Sequence, residues 1–218
     1  MGLKEKLAVA RGQMPADLLF KNAQLVNVIS GEIYPSEVLV FEGQIVALGS
    51  DYTAKETIDL AGRYLSPAFI DAHVHIESSL ATPPEFARAV VPHGVTAAIT
   101  DPHEIANVHG LQGIHYMLEQ SESLPMHVYV QASSCVPATD METSGATLLA
   151  KDLASLLTHP RVLGLAEVMN YPGVIYGDDL VLDKIKAFDG RPIDGHAPAL
   201  RGAALNAYVL AGIQSEHE

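Results

Sequence analysis

Short apolar runs recur along this chain, and each closes on a polar residue able to do chemistry. Ala68-Phe69-Ile70-Asp71-Ala72 leads into His73-Val74-His75. Thr96–Thr100 leads into Asp101, and Val128–Ala132 into Ser133-Ser134. Leu163–Ala166 leads into Glu167, Pro192–Gly195 into His196, and Ile213–Glu216 into His217. The steps from His75 onward lie between 21 and 33 residues. A (β/α)8 barrel of about 250 residues spends roughly 31 on each βα unit and keeps its chemistry at the C-terminal ends of its strands. The expected fold is therefore α/β: a partial (β/α)8 barrel of about six of the eight strands.

Between those runs lie helical stretches, expected at Pro84–Val91, Gly110–Ser121, Gly145–Leu157 (Ser144 as N-cap), Asp178–Ala187 and Leu200–Leu210. Alternating strands and helices imply a parallel sheet. The first 67 residues read differently. Residues 3–11 form a short amphipathic helix, so 1–16 is an N-terminal helical segment. Residues 17–67 are a small β-rich subdomain of short runs, Leu18–Phe20, Gln24–Val28, Glu37–Phe41 and Gln44–Leu48, separated by turns at Asn22-Ala23, Ser30–Glu32 and Glu42-Gly43. Pro67 marks the boundary, and 68–218 is the incomplete barrel. Two βα units would be missing, and an open parallel sheet exposes an apolar edge. The expectation is an N-terminal part of a longer protein, completed by a C-terminal segment or by a homo-oligomer.

In a strand, residues two apart share a face, so His73 and His75 can converge on one ion. An isolated HxH is more often chance. Here three more candidates follow at strand ends: Glu167, His196 and His217. Four histidines and a glutamate form an N/O set suited to Zn, Mn, Fe, Co or Ni rather than Ca or Mg. A mid-barrel carboxylate can bridge two ions, and such a centre acidifies water toward a pKa of about 7. Asp101, His103 and Glu104 form a polar cluster that orients ligands, binds an extra metal or touches substrate. Glu77 and Ser78 follow the HxH and face the pocket.

Composition narrows the partners. A net charge of −13 argues against a phosphate backbone, and no apolar run approaches 18 residues, so neither nucleic acid nor membrane is expected. Cys135 is the single cysteine. It excludes disulfide frameworks and cysteine-based zinc sites within the chain, reads as a small buried residue, and favours a cytoplasmic setting.

Several segments together resemble the amidohydrolase superfamily and, within it, the adenine deaminase family. They are Pro67–His75, His75-Ile76-Glu77-Ser78-Ser79, Asp101-Pro102-His103-Glu104-Ile105-Ala106-Asn107-Val108, Ser133–Ala138, Leu165–Val174 and Asp194-Gly195-His196. The resemblance spans essentially the whole chain. It implies metal-dependent hydrolytic deamination of adenine to hypoxanthine and ammonia, as in purine salvage. It implies a binuclear centre of Mn or Fe, with Zn as an alternative. The matching ligand positions are His73, His75, Glu167, His196 and His217. Catalytic roles fall to Glu167, Asp101 and Glu104, and contact with the purine base to Glu77, Ser78 and Tyr171. The aspartate that the family carries at its eighth strand end has no counterpart here. The alternatives are a non-catalytic metal-binding fragment and another amidohydrolase, such as an amino-sugar deacetylase.

Overall fold

The computed structural model describes residues 2–217. The chain divides into two compact units, Met1–Ala68 and Phe69–Glu218.

The first unit opens with helix α1 (Leu3–Ala10) and continues into strands β1 (Ala16–Asn27), β2 (Glu32–Phe41), β3 (Gln44–Gly49), β4 (Ala54–Asp59) and β5 (Tyr64–Leu65). Its sheet runs β3-β2-β1-β4, with β5 also pairing with β1. Val9, Leu19, Leu39 and Phe41 form its core. Asn22-Ala23, expected as a turn, instead lies inside one continuous strand. The register against β2 shifts between Phe20 and Ala23, and Asn22 takes the left-handed conformation at φ 56°. This is a bulge: Asn tolerates that conformation, and the extra residue bends the strand without ending it.

The second unit contains β6 (Phe69–Val74), β7 (Val95–Thr100), β8 (His127–Ala132), β9 (Val162–Val168), β10 (Ile193–Gly195) and β11 (Ser215–Glu216). They pair in sequence order, and every neighbouring pair is parallel. This is a six-stranded part of a (β/α)8 barrel, as the run spacing implied. Helices follow the strands: α2 (Pro83–Val90), α3 (His103–His109), α4 (Leu111–Gln120), α5 (Ala150–Ser155), α6 (Tyr171–Tyr176), α7 (Asp179–Ala187) and α8 (Gly202–Leu210). Val130, Leu165 and Ile193 from the strands bury against Ile114, Leu118, Leu153, Phe188 and Tyr208 from the helical layer. A buried Leu or Ile contributes roughly 1.5–3 kcal/mol, so this apolar layer holds the strand ends in place.

Two helical expectations are corrected. α3 went unforeseen; Gly110, at φ 59°, separates it from α4. The helix expected over Gly145–Leu157 shrinks to α5 and a following 3-10 turn. Ser144 Oγ donates to the Asn107 carbonyl (3.1 Å) and to Asn107 Oδ1 (2.7 Å). A Cβ on Gly145 would lie 2.9 Å from the carbonyl oxygens of both Asn107 and Val108. That segment is a loop docked on α3, and its polar groups are committed there.

Candidate metal centre

Every strand of the second unit except β8 delivers a nitrogen or carboxylate ligand to one place, or leads directly into one. Glu167, near the end of β9, is the hub. Its carboxylate is almost wholly buried, and each oxygen faces its own set of imidazoles. Oε1 lies 3.1 Å from His196 Nδ1, 3.1 Å from His217 Nε2 and 3.6 Å from His73 Nε2. Oε2 lies 3.4 Å from His75 Nε2 and 3.5 Å from His103 Nδ1. Ligand atoms of His75, Asp101, His103 and Glu167 lie within 4.8 Å of one another, as do those of His73, Glu167 and His217. The five residues expected as ligands are thus brought together.

Asp101 organises one side. His75 Nδ1 lies 2.8 Å from the Asp101 carbonyl oxygen. A carbonyl only accepts, so Nδ1 carries the proton and Nε2 points inward. The Asp101 carboxylate anchors His103, with Oδ2 2.9 Å from Nδ1, the same nitrogen that faces Glu167, and its Oδ1 accepts from Ser133 Oγ at 2.6 Å. Partners behind a ligand fix the ring's tautomer and orientation in this way. The site therefore includes His103 and Ser133 beyond the expected ligand set. His103 was visible only as part of a polar turn, because it opens a helix that the apolar pattern does not announce.

The inner atoms fit a cation. His73 Nε2 and His75 Nε2 sit 3.1 Å apart, both beside a carboxylate. Lone pairs crowded at that distance require protons or a positive ion between them. Protons supply part of this: hydrogen bonding to Glu167 raises His75 to about 9, against burial and with help from the Asp101 carbonyl. Burial pushes Glu167 upward, but the hydrogen bond from His75 and the charges of His73, His75 and His103 outweigh it and hold the carboxyl at about 2. Burial lowers His73. Imidazole and carboxylate donors on both sides of a bridging carboxylate suit divalent ions of the Mn, Fe and Zn type.

Glu77, Ser78 and Glu104 form the rim. Ser78 Oγ donates to Glu104 Oε1, and Glu104 Oε2 stands 3.6 Å from His75 and 3.8 Å from His103. Burial raises Glu104, but the Ser78 hydroxyl and the two imidazoles bring it below its ordinary value. Glu77 Oε1 accepts from the Ile105 N–H at 3.3 Å; its Oε2 is buried without a hydrogen-bond partner among the described residues. Burial, reinforced by the Glu104 charge, pushes Glu77 up to about 7. Tyr171 opens α6 and is half-buried against the apolar core. Cys135 is buried, and burial raises its thiol well above the usual range.

Fold and site together define a barrel-type α/β protein with a histidine–carboxylate cluster at the C-terminal ends of its strands. The chain belongs to the amidohydrolase family, whose profile matches residues 64–218. It is 55% identical over 216 residues to an adenine deaminase of Cereibacter sphaeroides (strain KD131), covering 99% of this chain and 38% of that protein. It is 52% identical over 216 residues to adenine deaminase 2 of Carboxydothermus hydrogenoformans, with the same coverages. The chain thus spans about 38% of the length of these relatives. Among solved structures, D-hydantoinase from Bacillus sp. AR9 superposes with a TM-score of 0.64 at 18% identity, over 91% of this chain and 51% of that one. The N-acyl-D-glutamate deacylase of Bordetella bronchiseptica, solved with zinc and a phosphonate inhibitor, gives 0.62 at 15% identity, over 93% and 51%. At these identities the structures speak for the fold.

Proposed function

We propose that this chain provides the metal-binding part of a hydrolase that deaminates adenine to hypoxanthine and ammonia. The observation that carries the reading is Glu167, whose two oxygens face separate sets of histidines. His73, His75, His196 and His217 would hold two divalent ions with Glu167 between them. Mn or Fe is the first choice; zinc is the alternative, since the deacylase structure was solved with it. The ions, when bound, supply Lewis acidity that makes water a nucleophile at neutral pH. Asp101 keeps His75 in the tautomer that turns Nε2 to the centre and anchors His103 beside Glu167. Glu104, held ionised, accepts a proton at Oε2. Glu77 Oε2, near half-protonation at neutral pH, exchanges one with a ring nitrogen or the exocyclic amine of the purine. Ser78 fixes Glu104, and Tyr171 borders the base.

The high identity to two adenine deaminases supports adenine over an N-acetylated amino sugar. Among the described residues no helix is long and apolar enough to cross a membrane. The acidic charge supports a small-molecule substrate over nucleic acid, and the single cysteine supports a cytoplasmic setting. Phe69 and Ile70, both well exposed on β6, support association with a further segment or a second copy.

The test has two parts. Metal analysis of protein purified with Mn should give two ions per chain, and none in Glu167→Gln. Ammonia release should be seen with adenine and acetate release should not be seen with N-acetylglucosamine 6-phosphate, measured on this chain and on a chain of the relatives' full length. A metal-free preparation that cannot be loaded, or acetate release alone, would overturn the proposal.

A further inference from the structure

The β9–β10 ladder loses its regular step where the two ligand-bearing ends meet. Ile193 pairs with Leu165, and Gly195 pairs with Val168, so three steps on β9 match two on β10. The extra residue falls at Ala166-Glu167. A bulge of this kind turns side chains off strict alternation and takes nearby backbone groups out of the ladder. Leu165 is fully buried in the apolar core, whereas Glu167, two residues on, faces the histidines. Regular alternation would put both on one face. The bulge is therefore what aims the Glu167 carboxylate.

One side chain bridges the gap. Tyr208, on α8 and 1% exposed, donates its hydroxyl to the Val168 carbonyl at 2.7 Å and accepts the His196 N–H at 3.0 Å. Val168 follows Glu167, and His196 is the residue whose Nδ1 sits 3.1 Å from Glu167. A single phenolic oxygen replaces the direct backbone rung and sets the separation of the two strand ends. Gly195 makes room for it. A Cβ there would lie 2.8 Å from the Tyr208 hydroxyl, and equally 2.8 Å from Ile213 Cγ2 and the Ser215 carbonyl.

We infer that Tyr208 is a positioning residue for the metal centre: its hydroxyl, wedged between Val168 and His196, fixes the bite between Glu167 and His196. Tyr208 touches neither substrate nor ion; it acts through the backbone of the ligand residues. The inference rests on reading the cluster as a metal centre. Removing the hydroxyl leaves a buried N–H and C=O to pair directly, which draws the strand ends together, or to stay unpaired. Direct pairing pulls His196 toward β9, and an unpaired N–H leaves His196 without the contact that holds it.

The experiment is Mn²⁺ affinity by competition with a fluorescent chelator, on the 218-residue chain, well below its unfolding temperature. Tyr208→Phe should weaken the ion held by His196 about 10–100-fold, the usual scale for partners behind a ligand, and leave the other ion nearly unchanged. Gly195→Ala, whose Cβ would crowd the hydroxyl together with the Ser215 carbonyl and Ile213, should weaken the same ion at least as much and serves as the second variant if Tyr208→Phe does not fold. Ile185→Val, a loss in the same apolar core, should lower the unfolding temperature and leave both affinities alone. A folded Tyr208→Phe or Gly195→Ala protein that binds both ions within about twofold of the parent overturns the inference, since changes behind a ligand that positions it cost more than that. A parent chain that takes up no Mn²⁺ overturns the metal-centre reading, and this one with it.

Discussion

Gly164→Ala tests how tightly the strands beneath the site are packed. A Cβ at this position would meet the Pro192 carbonyl oxygen at 2.0 Å, the Pro192 carbonyl carbon at 2.9 Å and Gln131 Oε1 at 2.8 Å. The first contact is backbone, and no rotamer relieves it. Pro192 must retreat by about 1 Å or more to reach ordinary packing distance. That carbonyl accepts the Leu165 N–H at 3.0 Å, so the retreat breaks a buried rung between β9 and β10. Losing the rung costs about 0.5–1.5 kcal/mol, and overpacking adds about 1–3 kcal/mol. The stiffer unfolded chain offsets about 0.4–1 kcal/mol. A 2.0 Å contact with backbone puts the overpacking at the top of its range, so a net loss of about 2.5–4 kcal/mol is expected, which for a chain of this size lowers the unfolding midpoint by roughly 5–15 °C. Thermal unfolding followed by circular dichroism reads it directly. Gly190→Ala is the comparator: its added Cβ meets nothing within 4 Å, and only its left-handed φ of 75° carries a penalty, about 1–2 kcal/mol. A Gly164→Ala midpoint equal to the parent's, or a drop smaller than that of Gly190→Ala, would refute the packing argument.

Two further outcomes follow from the site. In the metal-free protein the His75–Glu167 pair stabilises the fold within a pH window. His75 is raised from 6.5 to about 9, so its contribution is complete below 6.5 and disappears as pH rises through 9; Glu167 is lowered from 4.5 to about 2, so its contribution is complete above 4.5 and disappears as pH falls toward 2. The urea midpoint of chelator-treated protein should accordingly fall between pH 6 and pH 9.5, and a midpoint that rises over that range would contradict the pairing. Asp101→Asn keeps the shape but loses the carboxylate that accepts from both His103 and Ser133; metal affinity by chelator competition should drop about 10–100-fold, and an unchanged affinity would show that this side of the site needs no such partner.

Much of this was legible in the sequence for a physical reason. A buried parallel strand must be apolar through its length and can turn polar only where it emerges. Each apolar run therefore announced both a strand and the residue at its end, which is how Glu167, His196 and His217 could be read beside His73 and His75. What escaped were elements that do not advertise themselves by apolar content. β4 is Ala54-Lys55-Glu56-Thr57-Ile58-Asp59, mostly exposed, and held by parallel pairing with β1 rather than by burial. α3 begins directly after Asp101-Pro102 and buries only Ala106, so His103 could be named as part of a polar turn but not placed opposite Glu167.

The departures from regular structure are where the site is made. By alternation alone, Glu167 shares a face with Leu165 and belongs among the helices. The register shift at Ala166-Glu167 reverses that, and Gly195 and Tyr208 make the reversal affordable in hydrogen bonds. One layer below, Gln131 Nε2 reaches past Gly164 to Asp194 Oδ2 at 2.7 Å, and Asp194 Oδ1 accepts from Ser215 Oγ at 2.6 Å. Asp194 and Ser215 each sit two residues before a histidine of the cluster, so this polar layer ties β8, β10 and β11 together directly under His196 and His217. Gly164 and Gly195 are thus required by what passes over them: the Pro192 carbonyl with the Gln131 side chain in one case, and the Tyr208 hydroxyl with Ile213 and the Ser215 carbonyl in the other. A sequence reader who sees only strand periods would treat both as weak points of their strands. The geometry makes them positions where the lack of a side chain lets neighbouring backbone and polar side chains set the spacing of the ligands.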